Sequence, residues 1–169
     1  MNLYQHLGYL VLGSRLRRIS ESFLAEITRA YQQAGIEFDA SWFPVFYLLS
    51  QNKSLSIKEL SEQTEVSHPA ASQLITNLKQ RGLVKSTTSK TDARKQQIAF
   101  TDKGRALLEQ VLPVWDAILL SMTEISESQP GCDALLPAVT AFEQALQSHN
   151  LSDHISQNLQ KQLNPADHD

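Results

Sequence analysis

The sequence predicts a mostly α fold with a small β-hairpin wing (α+β): a winged helix-turn-helix set between N- and C-terminal helices. Three observations predict it. Residues 56–81 read as two short amphipathic helices joined by a tight turn, the second ended by Gly82. Two apolar-alternating strands follow, flanking a loop that carries Lys90, Asp92, Arg94 and Lys95. Apolar residues recur at three- and four-residue steps through long segments at both ends of the chain.

The first of these segments carries Leu3, Leu7, Leu10, Leu12, Leu16, Ile19, Phe23, Ile27 and Ala30, which predicts one long helix over 3–33 with Gly35 placed to end it. A helix of that length exceeds what a small core needs, so part of its apolar stripe is expected to face a second subunit. A second helix is expected to start near residue 40 and to carry Trp42, Phe43, Val45, Phe46, Leu48 and Leu49, with Pro44 tolerated in its first turn. Ser56 caps the next helix, which buries Ile57 and Leu60, and Val66 closes the turn that follows. Ser67 is a good N-cap for the helix after it, with Pro69 in the first turn, where its missing N–H costs nothing.

Residues 83–87 and 96–100 read as the two strands of the hairpin, with Ile98 and Phe100 alternating inward. Thr101 then caps a long helix holding Leu107, Leu108, Val111, Leu112, Trp115, Ile118, Leu119 and Met122, which Pro113 is expected to kink. The turn SQPGCD breaks the chain, and a last helix carries Leu135, Leu136, Val139, Phe142 and Leu146. After a break at 148–152, Ile155, Leu159 and Leu163 extend it.

At 169 residues and 41% hydrophobic, the chain is long enough to bury its own core, and one domain is the default. The formal charge of −3 hides an uneven distribution. Residues 67–105 hold eight Lys or Arg against two acids, a local balance of +6, which leaves −9 on the remainder. A basic island on an acidic body suits a protein that sets one face on a polyanion. A single cysteine, Cys132, excludes a disulfide framework and a multi-thiolate zinc site within one chain. No continuous apolar run approaches the roughly 20 residues of a bilayer span, and the N-terminal apolar stretch lacks a cleavage site. A soluble, cytoplasmic chain without membrane partners is the expectation.

On a helical wheel, Ala71, Leu74, Ile75 and Leu78 share one arc, the buried face of the second short helix. Opposite lie Pro69, Gln73, Thr76 and Gln80, flanked by Ala70 and Asn77. An ordinary solvated face would carry more Lys and Glu. Amides can read adenine through N6 and N7, and Ala or Thr methyl groups can pack on a thymine methyl, so this ridge is expected to enter a major groove of double-stranded DNA. Phosphate contacts would fall to Ser67 and His68 at the helix N-terminus and to Ser72, Lys79 and Arg81 beside it. In the hairpin, Lys90 and Lys95 flank a tip where Arg94 is placed for a narrow minor groove, its rotamer fixed by an ion pair with Asp92.

These residues carry a resemblance to the MarR family of bacterial transcriptional regulators. The resembling segments are LSIKELSEQTEVSHPAASQLITNLKQRGLV and the wing TDARKQQIAFTDKGRALL, with its Asp-x-Arg and the Thr-x-x-Gly that opens the next helix. The resemblance extends over nearly the whole chain. It implies homodimers, pseudo-palindromic operators and, commonly, repression released by a small ligand or by thiol oxidation. It further implies dimerisation helices over 1–34 and 105–163 around a DNA-binding lobe at 40–104, and it puts Ser67, His68, Ala70, Gln73, Thr76 and Asn77 at groove-facing positions and Arg94 at the minor-groove position. Family members often have Arg or Lys where this chain has Gln73 and Asn77, which leans its base preference towards A·T. The peroxide-sensing branch carries its reactive cysteine in the first helix, which has none here, and Cys132 does not fit that role.

Trp42, Phe46 and Tyr47 form an aromatic cluster that the resembling fold places near a cleft, where Arg15 and Arg18 would present cations to an anionic or aromatic effector. Core packing is the commoner use of such aromatics. No cofactor or metal is expected: His149 and His154, five residues apart, do not converge on one helix unless the chain breaks between them. No catalytic arrangement is present, so an enzyme is not predicted. The rival is a winged-helix module that grips another protein without touching DNA. The dimerisation lobe of a methyltransferase would require a catalytic domain for which the chain leaves no residues.

Overall fold

The computed structural model describes residues 3–88 and 96–163. They fall into two units, Met1–Ile118 and Leu119–Asp169. The first begins with α1 (Leu3–His6), a 3-10 turn at Gly8–Val11 and α2 (Leu12–Gln33). The single helix expected over 3–33 is therefore divided. Gly8 adopts φ +53°, a left-handed conformation that interrupts the helix although the apolar spacing runs on through it. Gly35 does end α2: at φ +68° it lets the Ile36 N–H reach back to the Tyr31 carbonyl at 2.9 Å.

A second 3-10 turn (Ala40–Trp42), capped by Asp39 accepting from the Ser41 N–H, leads into α3 (Phe43–Gln51), with Pro44 in its first turn. α4 (Ile57–Thr64) opens on a full capping box. The Glu59 N–H donates to the Ser56 hydroxyl, and the Ser56 N–H donates to the Glu59 carboxylate. The turn after α4 is made by Glu65 in the left-handed region, φ 55°. Val66 does not close it with its side chain, which is exposed; its carbonyl instead accepts from the Ser61 hydroxyl at 2.8 Å. Ser67 caps α5 (His68–Gln80) by accepting from the Ala70 N–H.

β1 (Val84–Thr88) and β2 (Gln96–Phe100) pair antiparallel, Val84 opposite Phe100 and Ser86 opposite Ile98. A third rung was not anticipated: Leu55 exchanges two backbone hydrogen bonds with Ile98, at 3.0 and 2.7 Å, tying the start of α4 to the hairpin. Thr101 opens α6 (Asp102–Ser128) as expected, its hydroxyl donating to the Gly82 carbonyl and accepting from the Gly104 N–H at 3.0 Å. Gly104 is buried against the Leu83 carbonyl oxygen, so closely that a Cβ there would collide with it.

Around these elements lies one core containing Tyr31, Phe38, Trp42, Val45, Phe46, Leu49, Leu60, Ile75, Leu78, Ile98, Phe100 and Val111. Phe38 is its aromatic hub, edge-on to Trp42 and Phe46 at 5.5 and 5.0 Å. Trp115 closes it from α6, its indole N–H donating to the Tyr31 hydroxyl at 2.8 Å. By length and composition alone α6 could cross a bilayer, which counting continuous apolar runs did not anticipate, because Glu109 and Asp116 interrupt the run. Its first half is committed to the core through Val111, Leu107 and Trp115.

The second unit holds the end of α6, then α7 (Leu135–Ser148) and α8 (Leu151–Leu163), with the expected break between the last two. Neither α7 nor α8 buries a residue. Leu136, Val139, Phe142, Leu146, Ile155 and Leu159 are all exposed.

Candidate nucleic-acid interface

α5 owes its orientation to burial. Ala71, Ile75 and Leu78 are at most 3% exposed, with Leu74 half-buried beside them. Burying side chains the size of Ile75 and Leu78 contributes about 1.5–3 kcal/mol each, far more than any surface contact, so the opposite face must point outward. Pro69, Ala70, Gln73, Thr76, Asn77 and Gln80 occupy that face and are all exposed. The ridge is uncharged, as read from the sequence.

Its polar groups are not equally free. The Thr76 hydroxyl donates to the Ser72 carbonyl at 2.9 Å, which leaves its oxygen lone pairs and methyl group for a ligand. Asn77 Oδ1 accepts from Arg81 Nε at 3.0 Å, so the amide presents its NH2 group outward while its oxygen is held. Bidentate reading of adenine needs both amide ends; an amide with one oxygen lone pair engaged offers its NH2 group most freely, to a guanine O6 or N7, an adenine N7 or a thymine O4.

Around the ridge, Ser67 and His68 are exposed at the N-terminus of α5, where unpaired backbone N–H groups favour an anion. Ser72 and Lys79 are half-buried along its flanks. Arg81, the C-cap of α5, is exposed beside the ridge, and its guanidinium lies 4.9 Å from the centroid of the Trp42 ring. Sequence reading passed over Lys103, whose ammonium donates to the Arg81 carbonyl at 2.9 Å and adds a cation at the end of α5. The wing-tip residues Lys90, Asp92, Arg94 and Lys95 lie outside the described residues.

The aromatic-cationic cluster does not assemble as a set. Phe46 is fully buried between Phe38 and Phe100, a core residue. Tyr47 is exposed and stacks on Phe43 at 5.7 Å. Arg18 lies over the Tyr4 ring at 5.0 Å, and Arg15 is half-buried on the same helix. Of the five, Trp42 lines a hollow of about 550 Å³ together with Tyr31, Gln32, Phe38 and Asp39, with Arg81 as the cation on its wall. A neighbouring hollow of about 400 Å³ shares Trp42 and Arg81 and adds Leu83 and Lys103. Burial pushes the Tyr31 phenol above its usual pKa, partly offset by the Trp115 hydrogen bond.

Comparison with known proteins agrees with this geometry. Residues 36–95 match the model of the MarR family. Among solved structures, Bordetella bronchiseptica BpsR, described with 6-hydroxynicotinic acid regulating its DNA binding, is 23% identical with a TM-score of 0.60, over 82% of this chain and 94% of that one. The transcriptional repressor CouR, bound to a 23-mer DNA duplex, is 23% identical with a TM-score of 0.62, over 85% and 99% of the two chains. Apo MarR from E. coli is 17% identical with a TM-score of 0.55, over 80% and 96%. At such identities the likeness to these structures is one of fold. The comparison with curated protein sequences gives no match.

Proposed function

Residues 36–95 match the model of the MarR family, and from that match we propose that the chain is a non-enzymatic transcriptional regulator of this family, a ligand-responsive repressor binding a pseudo-palindromic operator as a homodimer in the cytoplasm. The observation that carries the DNA-reading part is the exposed, uncharged ridge of α5, set opposite the face that packs into the core and inside the basic island of residues 67–105. Gln73, Thr76 and Asn77 read base edges; Ser67, His68, Ser72 and Lys79 hold phosphates; Arg94 enters the minor groove from the wing.

The homodimer is supported by apolar surface that each unit leaves uncovered. Leu16, Ile19 and Phe23 on α2 are exposed, and so are Leu136, Phe142, Ile155 and Leu159 on α7 and α8. Dimerisation helices over 1–34 and 105–163 would remove both stripes from water. Two copies related by a twofold axis set their α5 helices in successive major grooves, about 10 bp apart. An anionic or aromatic effector fits the hollow at Trp42 and Arg81, where a cation over an indole ring faces open space.

Selection of bound duplexes from a genomic fragment pool, followed by affinity measurements across a salt series, tests this reading. A twofold-symmetric site whose affinity falls steeply between low and moderate salt is expected. Absence of duplex binding even at low salt would instead assign the winged helix to a protein partner.

A further inference from the structure

The break between α7 and α8 brings together two histidines that a continuous helix would hold apart. His149 is the C-cap of α7 and His154 lies in the first turn of α8, and their ring centroids are 5.6 Å apart with the planes at 57°. Both side chains are exposed. His149 Nδ1 lies 3.0 Å from the Ala145 carbonyl and 2.9 Å from the Ser148 hydroxyl. A carbonyl oxygen only accepts, and the Ser148 hydroxyl directs its own proton at the Gln144 carbonyl at 2.8 Å, so Nδ1 carries the hydrogen. The lone pair of the neutral ring is therefore on Nε2. A backbone carbonyl holding one ring nitrogen is the arrangement that orients metal-binding histidines.

We infer that His149 and His154 form a two-imidazole site for a divalent late-transition cation such as Cu2+, Ni2+ or Zn2+, clamping the α7–α8 elbow. A metal–imidazole bond of roughly 2.0–2.1 Å sets an ion about 3.2 Å from a ring centroid, so rings 5.6 Å apart are close enough for one ion to reach both. Imidazole suits these three metals. Among the described residues no group of three His, Cys, Asp or Glu side chains gathers, so water fills the remaining positions. The site lies in the second unit and is independent of the DNA-reading assignment.

Calorimetric titration of the full chain with Cu2+, Ni2+ and Zn2+ tests the inference, alongside the electron paramagnetic resonance spectrum of the Cu2+ form. One ion per chain, tightest for Cu2+, is expected, with nitrogen splitting from two imidazoles. His149→Gln and His154→Gln should each weaken binding about tenfold or more, while His68→Gln leaves it unchanged. Circular dichroism confirms that the variants fold. The inference is overturned by a wild-type chain that binds no ion, by splitting from fewer than two nitrogens, by a ratio of one ion per two chains, or by wild-type affinity in either elbow variant.

Discussion

Arg81 stands 4.9 Å over the ring of Trp42. The same guanidinium donates to Asn77 on the exposed ridge of α5, so one side chain joins an amide proposed to face the groove to the wall of the 550 Å³ hollow. A ligand that recruited Arg81 would release the Asn77 oxygen and so change what the amide can read. Arg81→Ala is expected to lower stability by about 0.5–1 kcal/mol, the size of an exposed cation–π contact. It should also shift base preference at the Asn77 position towards adenine. Urea denaturation and a base-by-base affinity scan measure the two effects; unchanged preference would mean the pairing does not restrict the amide.

Gln73 has neither of those constraints. It is exposed at the centre of the ridge, so Gln73→Ala should cost about 1–3 kcal/mol of binding at one base pair of each half-site and little at the others. Titration against single-substituted duplexes checks it, and a uniform loss across all duplexes would point to a phosphate contact instead.

Arg94 carries the corresponding expectation for the wing. Arg94→Ala should weaken binding chiefly on operators with A/T-rich flanks, where a narrow minor groove strengthens the attraction for the cation. Equal loss on G/C-rich flanks would leave Arg94 as a backbone contact.

Gly104 seats the start of α6 directly on the Leu83 carbonyl. Gly104→Ala forces that carbonyl or the helix to move, and overpacking of this kind costs about 1–3 kcal/mol. A fall in the thermal midpoint is expected. An unchanged midpoint would show that the α6–hairpin junction shifts freely.

Tyr31 gives a pH signature. Its folded-state pKa lies above the unfolded value of 10.0, chiefly through burial, so the folded chain retains a proton that the unfolded chain loses. That contribution is fully present below pH 10 and is lost as the pH rises from there through the folded value. Denaturation curves above pH 10 should show the decline, and Tyr31→Phe should flatten it while costing stability at neutral pH, because the Trp115 N–H loses its acceptor.

Much of this arrangement is legible along the chain. The buried face of α5 followed from Ala71, Leu74, Ile75 and Leu78 recurring at helical spacing, because only one face of a helix can reach the core. The caps Ser56, Ser67 and Thr101 were legible for an equally local reason: each satisfies N–H groups three residues ahead. The interruption of the first helix at Gly8 was not legible because apolar spacing does not register a left-handed residue. Helical spacing does not distinguish Phe46, which packs wholly into the core, from Trp42, a core residue that also borders a hollow.

The amino-acid order by itself determined the helix pair, the hairpin and the uncharged ridge, since propensity, capping and periodicity act within a few residues of their cause. Only the tertiary structure decided which cation meets Trp42, that Leu55 pairs with Ile98, and that His149 and His154 face each other. Arg81 and Trp42 are 39 positions apart, as chain numbering shows, and Leu55 and Ile98 are 43. Contacts between such separated residues depend on how whole elements pack, and no local pattern encodes that. The histidine pair is close in sequence, yet its geometry depends on the angle of the α7–α8 elbow, which the break permits without specifying.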